Sequence, residues 1–194
     1  MAFWGQSMSS GMRDPKRKFR FKVQIGALGN GLVWYAKTVT KPQVAISGDT
    51  EHKFLGHTFK FPGSVTWEDV ELTLVDPGGR ADAEDRADAA KELLGIIEAS
   101  GYKFMDQIPT DLNGGLETIS KGKAREALDT FIISQLDSDG NVIEKWTLHN
   151  AFITSVNFND LSYEDDGLSE INLTVKYDWA KFSDNANDDS QFFE

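Results

Sequence analysis

Polar and apolar residues alternate over much of the chain. In "FRFKVQI", Phe19, Phe21, Val23 and Ile25 alternate with Arg20, Lys22 and Gln24, the period of two that puts one set on each face of a strand. "ALGNGL" supplies a Gly-Asn-Gly turn, "LVWYAKTV" reads as a second strand, and Pro42 closes it. "SVTWEDVELTLV" alternates again, with Val70, Leu72 and Leu74 on one side, before "DPGG" at 76–79 breaks the chain. The period changes once. Between Ala81 and Ser100, apolar residues recur at Ala83, Ala87, Ala90, Leu94 and Ile97, which predicts a helix over 81–100 that lays this stripe on a sheet and stops at Gly101. Residues 102–124, with Pro109, Gly114, Gly115 and Gly122, read as a long inserted loop with room for a short helix.

Strands then return. "TFIISQLD" and "VIEKWTLHN" predict a hairpin around Asp139-Gly140. "AFITSVNFNDLSY" turns through "EDDG" into "LSEINLTVKYDW", where Ile171, Leu173, Val175, Tyr177 and Trp179 face one way and Asn172, Thr174, Lys176 and Asp178 the other. The expected fold is mainly β within the α+β class, a β-sandwich or barrel of about seven to eight strands with one flanking helix.

Composition narrows what such a fold does. The 194 residues suffice for a real core, and no apolar run approaches the ~20 residues of a membrane span. In "MAFWGQSMSSGMRDPKRKF" the basic cluster follows the apolar part, the reverse of a secretory leader, so a cytoplasmic product is expected. The absence of cysteine excludes disulfides, thiolate metal sites and cysteine nucleophiles. A net charge of -11 argues against phosphate neutralisation as the main business. The charge is uneven. Arg13, Lys16, Arg17 and Lys18 stand against Asp14 near the start, whereas residues 183–194 carry Asp184, Asp188, Asp189 and Glu194 and no base. Opposite ends suit head-to-tail contact between copies, and equally suit two solvated tails.

The stretch "DTEHKFLGHTFKFPG", Asp49 to Gly63, holds two of the three histidines. His52 and His57 are five apart, which on one strand would send them to opposite faces, and Gly56 and Pro62 argue against a helix. His149 is remote, and no zinc-binding helix pattern occurs. The acidic turns "DSDGNVIE" and "NDLSYEDDGLSE" lack the ligand spacing of a calcium loop and read as solvated hairpin turns. There is no nucleophile elbow and no phosphate-cradling loop, and "GNGLVW" lacks the strand–helix context of a dinucleotide site. Glu68, Asp69 and Glu71 alternate along a strand; paired-carboxylate chemistry stays open, since sequence gives no distances. "PKRKFRFK" has the composition of a nucleic-acid contact, but its phenylalanines alternate inward and read as core. No catalytic residue, cofactor or metal ligand is assigned.

Several pieces match one known family. Asp14-Pro15 leads through Arg17 and Arg20-Phe21 into the first strand. "WYAKTVTKPQV" and a long loop follow, then "HTFKFPGSVTWEDVELTLVD", and the alternating end finishes in "YDW". Over residues 13–77 and 127–182, and most specifically over 31–77, the chain resembles the tail tube protein of contractile-tailed bacteriophages of the myovirus type. The resemblance implies a β-sandwich or barrel with a flanking helix and a long β-hairpin loop. It implies six copies in a ring and rings stacked into a hollow tube, without enzymatic activity or cofactor. The implied partners are further copies, tail sheath, baseplate and tail terminator proteins, and double-stranded DNA that passes unbound, with no membrane insertion. The implied place is the virion tail, after assembly in the host cytoplasm.

On this plan residues 1–18 are an N-terminal arm, 19–182 the tube-type β domain with the insertion at 102–124, and 183–194 an acidic tail. The resemblance makes 49–63 an assembly element, with Phe54, Leu55, His57, Phe59 and Phe61 as contacts between subunits. For Phe59 and Phe61, packing back on their own core is the alternative. An acidic bore would let DNA slide, and its candidates are Glu68, Asp69, Glu71, Glu164, Asp165 and Asp166. Two neighbouring readings are the inner tube of a bacterial contractile injection machine, carrying proteins, and a baseplate tube-initiating paralogue. A third, of another class, is a small carbohydrate- or metal-binding β-sandwich or an unrecognised hydrolase, which a bound metal or ligand and a monomeric state would favour.

Overall fold

The computed structural model describes residues 15–28, 36–48, 50–76, 89–105, 108, 117–164 and 166–184. In chain order the elements are β1 (Phe21–Ile25), β2 (Ala36–Val39), β3 (Gln43–Ser47), β4 (Thr50–Phe54), β5 (His57–Phe61), β6 (Ser64–Glu68), β7 (Val70–Val75), α1 (Ala89–Ala99), α2 (Lys121–Leu128), β8 (Phe131–Leu136), β9 (Val142–His149), β10 (Phe152–Asn157), β11 (Glu170–Lys176) and β12 (Trp179–Ser183). The mainly β expectation holds. The strands among the described residues number twelve rather than seven or eight, and the helices two rather than one.

Two four-stranded antiparallel sheets, ordered β1-β8-β9-β12 and β10-β11-β7-β2, enclose the core. The alternation decides what goes between them. Val23, Ile25, Phe131, Ile133 and Leu148 come from the first sheet, and Val70, Leu72, Leu74, Ile171, Leu173 and Val175 from the second. Each buried aliphatic side chain of this kind is worth about 1.5–3 kcal/mol. One transverse row on the outer face of the second sheet carries short neutral side chains, with Glu71, Glu170 and Lys176 on the same face: Thr73 lies between Thr38 and Asn172, and Asn172 between Thr73 and Asn157. The Thr73 hydroxyl donates to Asn172 Oδ1 at 2.8 Å, and Asn172 Nδ2 donates to Asn159 Oδ1 at 3.1 Å.

Three expectations are corrected. First, α1 buries Ala89, Leu93 and Ile96, while Leu94 is 38% exposed, so the working stripe lies one residue before the predicted one at Ala90, Leu94 and Ile97. Both stripes keep helical spacing; the partner surface selects between them. Ala83, Ala87 and the rest of 81–88 lie outside the described residues. Second, Trp179 does not extend the buried face of Ile171, Leu173, Val175 and Tyr177. The chain leaves the second sheet after β11 and enters the first as β12, and Trp179 stacks on His149 with ring centroids 3.7 Å apart. Third, Phe19 precedes β1, is mostly exposed and lies beneath the Arg20 guanidinium. The inserted loop ends in α2, capped by the Ser120 hydroxyl, which accepts from the Lys123 N–H. Ala124 and Leu128 are its buried residues.

One buried carboxylate ties separate segments together. Glu144 of β9 pairs with Lys16 and Lys41 and accepts from Trp146 Nε1 at 2.7 Å. Lys41 also donates to Gln135 Oε1 at 2.6 Å, and Gln135 donates to the Arg17 carbonyl at 3.3 Å. Burial alone would raise the Glu144 carboxyl, but the two lysines and the indole outweigh it and hold it down at about 2. Lys41 stands two residues before β3, so this latch fixes the point where the chain leaves the sandwich.

Candidate assembly interface

β3 to β6 form a long hairpin. Gln43 is opposite Glu68 and Ser47 opposite Ser64; beyond them Thr50 is opposite Phe61 and Phe54 opposite His57. The outer ladder therefore continues the register of the inner one without a slip. At ~3.3 Å per residue, thirteen positions from Gln43 to Leu55 give an arm on the order of 40 Å long.

Its two faces differ. Paired residues share a face, and every second pair does too. One face therefore carries Val44, Trp67, Ile46, Val65, Phe61, His52, Phe59, Phe54 and His57, with Thr50 its only small polar member. The other carries Gln43, Ala45, Ser47, Glu51 and Lys53 against Glu68, Thr66, Ser64, Lys60 and Thr58. On the polar face Glu51 and Lys60 pair at 3.4 Å, and the Ser47 and Thr66 hydroxyls donate to carbonyls of the opposite strand.

The apolar face has a core beneath it only at its root, where Trp67 packs on the sandwich and meets Tyr177 at a ring separation of 5.9 Å. Val44, opposite Trp67, is 49% exposed, and beyond this pair Ile46, Val65, Phe61, Phe59 and Phe54 are all more than half exposed. Among the described residues, Phe59 and Phe61 thus have no core of their own to fold back on. With about 25 cal/mol per Å² of apolar surface at stake, a row of this length favours a covering partner.

The tip carries a further liability. Leu55 and Gly56 both have positive φ, 47° and 82°, the requirement of the two-residue turn that matches strand twist. Asparagine and glycine adopt this conformation readily, whereas leucine does so at a cost. Leu55 bears that cost and is also 82% exposed. Midway along, a Cβ on Gly63 would lie 1.8 Å from the Ser47 carbonyl oxygen and 2.1 Å from that of Gly48, so only glycine fits where the strands pinch.

The histidines correct the one-strand expectation. The turn at 55–56 intervenes between them, so His52, opposite Phe59, and His57, opposite Phe54, fall on the same apolar face. No group of three or more candidate metal ligands occurs among the described residues.

The candidate acidic residues are not brought to one place. Glu68 is at the arm's root, Asp69 pairs with Lys176 at 3.7 Å beside it, and Glu71 points outward from β7, opposite Thr174. Glu164 and Asp166 are exposed in the loop between β10 and β11, and Asp165 lies outside the described residues. Sequence reasoning missed Val44, Ile46, Val65 and Trp67 as members of the apolar face. The alternation of "QVAIS" and "SVTWE" held that signal, but only the register joins it to Phe59 and Phe61.

No protein-family profile and no characterised protein matches the sequence. Solved structures do. A chain of the sheath-tube complex of an extracellular contractile injection system, PVC, in its extended state, superposes with a TM-score of 0.59 at 16% identity, covering 88% of this chain and 92% of that one. A chain of the anti-feeding prophage cap, a tube-terminating cap, gives 0.57 at 18% identity over 92% and 97%. A chain of the six-fold symmetrised anti-feeding prophage baseplate gives 0.55 at 12% identity over 89% and 97%. The chain has the fold of these components of contractile injection assemblies.

Proposed function

We propose that this protein is a structural subunit of the inner tube of a contractile injection apparatus, and that its arm joins neighbouring copies. The observation that carries the reading is the β3–β6 arm, whose apolar face leaves the core at Trp67 and continues with nothing of its own chain over it among the described residues. The shared fold of the solved tube complex, cap and baseplate chains supports it. Phe54, Leu55, His57, Phe59 and Phe61 are the contacts, joined by Ile46 and Val65. Six-fold ring closure would pair sheet edges with neighbours and remove them as sites of indiscriminate association.

The finer reading is the tube of a phage tail that conducts double-stranded DNA. Its support is the net charge of -11 and the neutral row of Thr38, Thr73, Asn172 and Asn157 on a face whose cations, Lys37 and Lys176, are each matched by an acid, Glu170 and Asp69. We assign that face, bordered by Glu71, to the channel in place of a continuous acidic lining. A second reading is a tube of a protein-injecting machine, or a cap or baseplate ring of one, favoured by the comparable superposition of cap and baseplate chains.

Electron microscopy of the purified protein tests the proposal. Hollow tubes with six-fold end views are expected from the intact chain. Removing residues 49–62 leaves Gly48-Gly63 as a two-residue turn between β3 and β6, and should give a folded subunit that forms no tubes. Undiminished tubes from the shortened chain would refute the arm's role. Isolated rings that never extend would favour the cap or baseplate reading.

A further inference from the structure

β1 is the outer strand of one sheet and β2 the outer strand of the other. Between them the described residues leave a groove of about 890 Å³. Phe19, Phe21, Val39 and Trp146 give it an apolar floor, and Lys18, Lys37 and Lys41 line it as well. Lys37 pairs with Glu170, Lys41 and Lys16 outnumber the one carboxylate they share, Glu144, and Lys18 adds its positive charge to the lining.

We infer that this groove receives the acidic end of the same chain, residues 185–194. That segment, "NANDDSQFFE", carries Asp188, Asp189 and Glu194 and no base, and it places Phe192 and Phe193 side by side. Two aromatic rings suit an apolar floor of phenylalanine and tryptophan, and three carboxylates suit a lysine rim.

Connectivity brings the two together. Ser183, the last residue of β12, is opposite Lys145 on β9. One step further along β9 is Glu144, which is opposite Gln135 on β8, which is opposite Phe21 on β1. The segment thus leaves the sheet on the transverse row that ends in the groove. Three strand spacings amount to about 15 Å, whereas the eight residues from Asn185 to Phe192 span up to roughly 26 Å when extended. Two competitors fit less well. Residues 1–14 offset Arg13 with Asp14, and the arm of a second copy offsets Asp49, Glu51 and Glu68 with Lys53 and Lys60, whereas the three acids of 185–194 have no base beside them.

The inference does not rest on the tube reading, and calorimetry tests it. A chain ending at Asp184 is titrated with a synthetic peptide of residues 185–194. One peptide per chain is expected to bind. Lys18→Glu or Phe19→Ser in the groove should weaken binding about tenfold or more, and a peptide with both phenylalanines changed to serine should not bind. Raising salt should weaken the charged part of the contact. The intact chain should bind added peptide at least about tenfold more weakly, because its own tail competes at an effective concentration of about millimolar. No binding to the shortened chain would overturn the inference. So would equal binding by intact and shortened chains, or binding that appears only once residues 1–14 are removed.

Discussion

Val70, Leu72 and Leu74 of β7 and Ile46, Val65 and Phe61 of the arm are equivalent by pattern, apolar positions alternating along antiparallel strands. The first three are 0–3% exposed, and the second three 54–63%. The two regions even touch, because Trp67 at the arm's root joins the same core as β7. The difference lies in what is opposite. β7 faces a second sheet; the arm faces nothing that the described chain supplies. Alternation marks a face that requires cover without specifying whose surface covers it. On the proposed reading, the arm is a region whose burial is deferred to assembly.

Substitutions can break or sharpen that contrast. The largest effect belongs to the sandwich. Leu93→Asp should cost the subunit more than about 4 kcal/mol in urea unfolding, since it puts an unpaired charge in the core. Leu94→Asp, one residue on, should cost under about 1 kcal/mol. Similar losses from the two would dissolve the assignment of the α1 face.

Next is the Glu144 latch. Its carboxyl is held at about 2 against an ordinary 4.5, so its contribution is complete above about pH 4.5 and is lost as the pH falls toward 2. The difference corresponds to about 3 kcal/mol. Glu144→Gln should remove that part of the acid sensitivity and lower stability at pH 7 by a similar amount. Equal acid profiles for the parent and Glu144→Gln would remove the latch.

The arm should behave in the opposite sense. Phe59→Ser with Phe61→Ser should leave the isolated subunit's unfolding within about 0.5 kcal/mol of the parent, as for exposed sites, while sedimentation shows assembly lost. The smallest change is the most discriminating. Leu55→Asn suits the positive-φ turn and should stabilise the subunit by up to about 1 kcal/mol, yet weaken assembly. A variant that gains on both counts would show that Leu55 makes no contact.

The legible parts of the molecule were those where local pattern and final environment agree. β7, β11 and the hairpin around Asp139-Gly140 follow from alternation and turn chemistry alone, with Asp137 Oδ1 accepting from the Asp139 and Asn141 N–H groups as such a turn invites. The α1 face was misread because two helical stripes overlap and only the partner chooses. Trp179 was misread because alternation runs on through Tyr177-Asp178 while the chain changes sheets. In the arm, Phe54, Leu55, His57, Phe59 and Phe61 are named as contacts only through a family resemblance. Their shared face with Val44, Ile46 and Val65 depends on pairing across a turn, which no window on one strand contains. Glu144 gave no sequence signal, because its partners Lys16 and Lys41 are remote along the chain.

The arm's unbroken register also has a temporal consequence. Its partners lie close in sequence, from Phe54 with His57 out to Gln43 with Glu68, whereas β1 must find β8 across more than a hundred residues, Phe21 with Gln135. Hairpins close in microseconds, and pairing between remote strands is slower by orders of magnitude. Pulse-labelled hydrogen exchange should accordingly find β4 and β5 protected before β1 and β8. A newly made chain would then hold out its adhesive ribbon before it has built a body able to receive a neighbour's, so the pace of growth would be set by the receiving surface.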